Sequence, residues 1–232
     1  MALDAREAHH VRDVLRLAER TPVEVFDDQG NVGIGVLRTV NFAVVTVLVE
    51  SVSREIAAFR FAIASAVPKA ARGDWMVEKL TELGADVFIP LAAARSVVLP
   101  EGKNKLERWQ RLALEAAKQS HRRGVMRIEP LTALPAAIEH ALASGEAWHL
   151  STSGATTPLR DLRPTAQMLT LFIGPEGGWS DEEVELFERY GIPAISLTST
   201  ILRIETAAIG VAAVVGTLFA TDSSLFNSPS VP

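Results

Sequence analysis

Two short segments hold the residues with the clearest chemical purpose. Ile173-Gly174-Pro175-Glu176-Gly177-Gly178-Trp179-Ser180 sets three glycines and a proline between an apolar run at 168–173 and a mixed run at 181–190. Ile201-Leu202-Arg203-Ile204-Glu205-Thr206-Ala207 sets one cation and one carboxylate at the head of a long apolar stretch. Glycines in such a loop let the main chain approach a ligand closely. An arginine and a glutamate two residues apart offer a cation for developing negative charge and a carboxylate for a proton. Residues 168–173 read as a buried strand. Ser180 with Glu183 three residues later has capping-box spacing, which opens a helix over 181–190. Each segment is therefore a loop between strand and helix. In α/β sheets, ligands bind at the carboxyl ends of strands, so two such loops imply one site made from both.

The elements that must position these loops follow from periodicity. Strands are expected at 61–67, 87–91, 148–151, 169–173 and 194–197, and helices at 74–83, 103–120, 133–143, 181–190 and 205–220. Such alternation argues for an α/β fold with a mostly parallel sheet and flanking helices. The first sixty residues differ. A helical pattern at 4–17 precedes β-branched runs at 23–25, 32–36 and 44–49, and Asp27-Asp28-Gln29-Gly30-Asn31 is a hairpin signal between two of them. This reads as a small β-rich domain ending near Arg54 or Glu55. The Ser/Pro-rich end is expected to be mobile.

Composition mainly excludes. The 232 residues are 48% hydrophobic and 22% charged, with a net charge of -5 and no cysteine. Disulfides, cysteine metal sites and a thiolate nucleophile are ruled out. No apolar run reaches the length of a membrane span, and the N-terminus lacks an apolar signal core, so a soluble cytoplasmic protein is expected, with no membrane association. His9, His10, His121, His140 and His149 are scattered without metal spacing, so no metal is expected. No P-loop motif is present.

Four blocks in order carry a family resemblance. They are Glu78-Lys79-Leu80-Thr81-Glu82-Leu83-Gly84 followed by Pro90 and Arg95-Ser96-Val97; Trp109 through Gln119 followed by Arg122 or Arg123; the Gly-Pro-Glu-Gly-Gly loop; and the Ile-Leu-Arg-x-Glu-Thr-Ala loop. Together they resemble the ribosomal RNA small subunit methyltransferase E family, over roughly residues 60–220. The resemblance implies a SPOUT-type fold: a trefoil-knotted, mostly parallel sheet over 58–222, preceded by a small PUA-like RNA-binding β-barrel domain over 1–57, with a mobile tail at 223–232. It also implies a homodimer.

The cofactor implied is S-adenosylmethionine, bent within three loops. The first supplies Leu150 and Ser151. The second supplies Ile173, Gly174, Pro175, Glu176, Gly177 and Gly178. The third supplies Leu197, Ile201, Leu202, Thr206 and Ala207. The reaction implied is methyl transfer to N3 of a uridine in 16S rRNA of the small ribosomal subunit. N3 carries a proton at neutral pH, so the site must remove it or stabilise the charge left on the ring. Arg203 is the candidate for charge stabilisation or base orientation. Glu205 has two readings, proton acceptor or helix-start carboxylate favoured by the dipole, and the second is preferred. Glu176 reads more readily as a loop carboxylate bonding nearby backbone than as a catalyst.

The acidic total offers no general attraction to nucleic acid, so RNA contact must be local. Basic segments lie at 6–20 and 103–127. Arg12, Arg16, Arg95, Lys118, Arg122 and Arg123 are the candidate RNA contacts. Three departures from the family stand out. Leu197-Thr198-Ser199-Thr200 replaces its Leu-Gly-Pro-Arg, the chain starts where the family has an extra basic strand, and Arg20-Thr21-Pro22 replaces a Gly-Asp turn. A rival class is therefore a non-catalytic RNA-binding paralogue. Another is a SPOUT methyltransferase with a different RNA target.

Overall fold

The computed structural model describes residues 1–27, 31–54, 59–100, 102–122 and 124–219. The chain divides into two compact units, Met1–Ile56 and Ala57–Pro232.

In the first unit, Asp4 caps helix α1 (Ala5–His9), its Oδ1 accepting from the N–H groups of Arg6 and Glu7, both at 2.9 Å. The expected single helix over 4–17 breaks here. From His10–Val14 the backbone widens to a π-type turn, and Leu15 N–H reaches His10 O at 2.9 Å. Three antiparallel strands follow: β1 (Pro22–Phe26), β2 (Asn31–Val40) and β3 (Val45–Arg54). The hairpin pairs Phe26 with Val32; its turn residues 28–30 lie outside the described residues. Leu37, Val45, Val47 and Ala8 make a small core. Among the described residues this sheet has three strands, short of the expected barrel. Where the family has a Gly-Asp turn, Arg20 takes φ 69°, the left-handed region that glycine enters without strain.

The second unit is a three-layer sandwich. Its strands are β4 (Arg60–Ser65), β5 (Val87–Ala92), β6 (Arg127–Ile128), β7 (Thr132–Ala133), β8 (Glu146–Leu150), β9 (Thr157–Pro158), β10 (Met168–Ile173) and β11 (Ala194–Ser196). They lie in the order β6-β5-β4-β10-β8-β11-β9, with β7 also beside β5. Every pairing is parallel. The helices are α2 (Ala71–Glu82), α3 (Lys103–Gln119), α4 (Leu134–Ser144), α5 (Asp181–Arg189) and α6 (Ile204–Phe219).

The alternation of side chains along the central strands explains the layers. Phe61 and Ile63 of β4 and Leu169, Leu171 and Ile173 of β10 face the core shared with α2, α3 and α6. Ala62 and Ala64 of β4 and Phe172 of β10 face the core shared with α4 and α5. A strand buried on both faces reads as a continuous apolar run, which is why periodicity marked these strands clearly. Helix α6 buries Ala208, Val211, Ala212 and Val215 in the first of these cores. It can approach closely because Gly210 and Gly216 lack side chains: a Cβ there would lie 3.0 Å from Leu197 and 3.1 Å from Leu83 O. Among the described residues no helix is long and apolar enough to cross a membrane.

Candidate active site

The sheet changes direction beside β4: β5 and β6 extend one way, while β10, β8 and β11 extend the other. Just past the carboxyl ends of β8, β10 and β11, three loops enclose a cavity of about 300 Å³. This falls at the low end of the range typical of small-molecule sites. The wall from the β8 loop is residues 150–153, from the β10 loop 173–179, and from the β11 loop Leu197, Thr198, Thr200, Ile201 and Leu202. Ile204 and Ala207 at the start of α6 close the floor.

The glycine loop is held by side chains on either side. Trp179 Nε1 donates to Leu150 O at 2.9 Å, which ties the β10 loop to the β8 loop. Gly174 packs under this indole, and a Cβ there would sit 3.0 Å from Trp179. Gly178 needs φ 71°, the left-handed region. Arg95, from the loop after β5, donates from Nη1 to Gly177 O at 2.8 Å and to Trp179 O at 3.0 Å. The capping box at α5 completes the support. Ser180 N–H donates to Glu183 Oε2 at 2.9 Å, and Glu183 Oε1 accepts from Ala94 N–H at 2.8 Å. One buried glutamate thus fixes two loops.

Beneath Trp179 lies an aromatic stack. His149 of β8 is 3% exposed and lies parallel to Phe187 at 4.2 Å between ring centroids. Phe187 meets Trp179 edge-on at 4.9 Å. Burial among these rings holds the His149 imidazole down at a pKa of about 4, so it is neutral near pH 7. Its Nδ1 has no hydrogen-bond partner among the described residues.

Twelve of the residues expected to hold a cofactor line this cavity: Leu150, Ser151, Ile173, Gly174, Pro175, Glu176, Gly177, Gly178, Leu197, Ile201, Leu202 and Ala207. Thr206 does not; it is exposed on the outer side of α6's first turn. Thr152, Ser153, Trp179, Val184, Thr198 and Thr200 also line it. The polar Ser-Thr-Ser run following a strand was the signal available for the first two. Thr198 Oγ1 donates to Thr200 O at 3.0 Å and accepts from Thr200 N–H at 3.3 Å. This closes the loop, where the family has glycine, through a side-chain turn.

The two candidate catalytic residues separate. Arg203 precedes α6, is exposed, and its carbonyl accepts from Ala207 N–H at 2.9 Å. Glu205 is 5% exposed and lies outside the cavity wall. Its Oε1 accepts from Arg72 Nη1 at 3.1 Å, and its Oε2 has no partner among the described residues. This ion pair, half-buried on the Arg72 side, ties the first turn of α2 to the first turn of α6.

The candidate RNA contacts also divide. Arg12 and Arg16 lie in the first unit: Arg16 is exposed, while Arg12 donates to the carbonyls of Asn41 and Phe42, both at 3.2 Å. Lys118 lies on α3 at 4.0 Å from Glu115. Arg122 turns inward. Its Nη1 donates to Thr81 O at 3.2 Å and to Ala85 O, at the end of α2, and its Nη2 faces Asp86 at 3.6 Å. Burial lowers the pKa of this guanidinium, and its Nη1 is engaged by the carbonyls of Thr81 and Ala85, so in place of the expected outward-facing RNA contact the side chain is an inward clasp on the end of α2. Arg95 is exposed, lines the cavity and braces the glycine loop. Arg123 lies outside the described residues.

Comparison with known proteins agrees with this geometry. Residues 55–216 match the RNA methyltransferase domain family. The chain is 33% identical over 220 residues to ribosomal RNA small subunit methyltransferase E of Bacillus subtilis, covering 89% of this chain and 85% of that protein. A methyltransferase of Legionella pneumophila, solved with bound S-adenosylmethionine, superposes with a TM-score of 0.78 at 26% identity, over 94% of this chain and 91% of that one. The enzyme of the same family from Neisseria gonorrhoeae shares the fold, with a TM-score of 0.83 at 24% identity over 94% and 91% of the two chains. The chain belongs to the ribosomal RNA small subunit methyltransferase E family.

Proposed function

We propose that this protein transfers a methyl group from S-adenosylmethionine to N3 of a uridine in the 16S rRNA of the small ribosomal subunit. The observation that carries the reading is the convergence of the three loops on one backbone-lined cavity, in a chain of this family. The residues present fit the cofactor. Gly174 and Gly177 leave main chain exposed at the wall, and Leu197, Ile201 and Leu202 offer apolar surface for an adenine ring. When bound, the cofactor supplies an electrophilic methyl on a sulfonium. The protein's part is to hold that methyl in line with N3 and to balance the charge the uracil acquires. Arg203, exposed and between the cavity residues Leu202 and Ile204 along the chain, is the group we assign to balance it. Glu205 positions Arg72 and the start of α6 and takes no proton. The enzyme works in the cytoplasm as a homodimer, and its sheet carries the trefoil knot of SPOUT proteins. The first unit serves as a PUA-related RNA-binding module through Arg12 and Arg16, with Lys118 on the second.

The test is methyl incorporation from labelled S-adenosylmethionine into small subunits lacking the modification, with mass-spectrometric mapping. Label at N3 of one uridine near the decoding region is the expected result. A folded protein that binds the cofactor yet transfers no label would overturn the reading and favour a non-catalytic RNA-binding role.

A further inference from the structure

A second hollow opens where α2 and α3 begin. The loop from β4 to α2 and the first turns of α3 border an open cleft of about 360 Å³. Its walls are apolar at Val67, Pro68 and Val98, and its charged lining is Asp74, Lys105 and Arg108. Asp74 organises the two cations. Its Oδ1 accepts from Lys105 Nζ and from Trp109 Nε1, both at 2.8 Å, while Oδ2 meets Arg108 Nη2 at 2.7 Å. Lys105 Nζ also lies 4.9 Å from the centre of the Trp109 ring, which is buried. One carboxylate thus fixes two cations three residues apart on α3 and neutralises only one of them. Each keeps donors not engaged by Asp74, since an ammonium has three N–H groups and a guanidinium five.

The cleft also meets the start of α2. The residue before that helix, Ala70, has no side chain to cap it, so its first N–H groups add partial positive charge on the same side. The two hollows lie at neighbouring helix starts. Arg72 in α2's first turn bonds Glu205 in α6's first turn at 3.1 Å, and Ile204 and Ala207 of α6 floor the methyl-donor cavity.

We infer that this cleft is a subsite for a backbone phosphate of the RNA strand, gripped by Lys105 and Arg108. This rests on the RNA methyltransferase reading above. Pre-set cations over an apolar wall suit a phosphodiester, whose charge they meet without rearranging. A nucleotide anchored there lies beside the cavity, so the grip sets where the strand enters the active site.

The test uses the full chain and three variants. Arg108→Gln removes an exposed cation and leaves Asp74 bonded to Lys105 and Trp109. Lys105→Gln removes the other cation, with melting temperature as the check on folding. Arg111→Gln, one helical turn on and outside the cleft, is the control. Two readouts are taken: KM for RNA in methyl transfer, and filter binding of a single-stranded RNA oligonucleotide across a potassium chloride series. For Arg108→Gln the expected result is a KM raised about tenfold, with kcat and cofactor affinity unchanged. Its salt dependence should fall by ~0.7 log unit per log unit of salt, the value for one single-strand phosphate contact. Wild-type KM, affinity and salt slope in both cleft variants overturn the subsite. So does an equal loss in Arg111→Gln, which would mean diffuse attraction. A wild-type protein that transfers no methyl to RNA would refute the functional reading, and the filter-binding arm then decides the subsite by itself.

Discussion

Acid should loosen the active site through His149. The side chain is 3% exposed, stacked on Phe187 and edge-on to Trp179, and burial holds its pKa near 4 against 6.5 for a free imidazole. The folded state therefore favours the neutral ring, whereas the unfolded chain takes up a proton as pH falls below 6.5. Stability from this group is present above pH 6.5 and is lost as pH falls toward 4. At pH 5 the loss spans about 1.5 units at ~1.4 kcal/mol each, or about 2 kcal/mol. For a protein of this size that is a drop of about 4–8 °C in melting temperature. Other groups titrate over the same range, so the informative quantity is the gap between the wild type and His149→Phe. That substitution keeps an aromatic ring against Phe187 and removes the titration. The thermal or urea melts are run at pH 8 and pH 5. The variant is expected to gain about 2 kcal/mol relative to wild type on going to pH 5, whatever its offset at pH 8. A gap that stays constant between the two pH values would refute the reasoning. The consequence reaches the cavity because Leu150, next to His149, accepts the Trp179 indole bond at 2.9 Å.

Three further outcomes are expected. Gly174→Ala places a Cβ 3.0 Å from Trp179; the indole must move, and calorimetry should show cofactor affinity reduced about tenfold or more, with about 1–3 kcal/mol lost in stability. Arg95→Ala frees the carbonyls of Gly177 and Trp179 and should weaken cofactor binding while leaving RNA affinity and its salt slope unchanged; the reverse pattern would make Arg95 an RNA contact. Glu205→Gln keeps an acceptor for Arg72 and should hold kcat within about fivefold, whereas a fall of ~100-fold or more is what losing a general base costs and would restore Glu205 to that role.

How much of this was legible in the sequence depended on length and burial. The long elements of the second unit were found close to their true positions because each presents an apolar face of full period. The strands β6, β7 and β9 were missed: two residues cannot show a period of two. Helix α2 begins at Ala71, three residues before the expected start at Asp74. Asp74 resembles a helix-opening acid, yet its carboxylate is turned to Lys105 and Trp109 on α3, a partner 31–35 residues away that no local pattern records. Arg122 misled in a similar way. It sits in a basic run and reads as solvated, but His121 takes φ 54° and the chain doubles back. That turn delivers Arg122 onto the carbonyls at α2's end.

The site itself was legible at the level of loops and less so at the level of roles. Glycine and proline after a strand announce a ligand loop, because the backbone's need for space is written in the residue type. Roles depend on partners, and partners come from other segments. The sequence made Arg203 and Glu205 the catalytic candidates because they are the charged residues of one loop. The fold points Glu205 inward to Arg72, 133 residues away, and leaves Arg203 outside. The substitution at 198–200 shows the converse. The family's sequence has a glycine where this chain has Thr198. Yet no described residue between 197 and 203 has positive φ, so the loop does not call on glycine's freedom. Thr198 supplies the turn through its hydroxyl. What the loop lacks, relative to the family's sequence, is the arginine's charge. The expected consequence lies in RNA affinity: Thr200→Arg should raise it in filter binding and leave cofactor affinity by calorimetry unchanged.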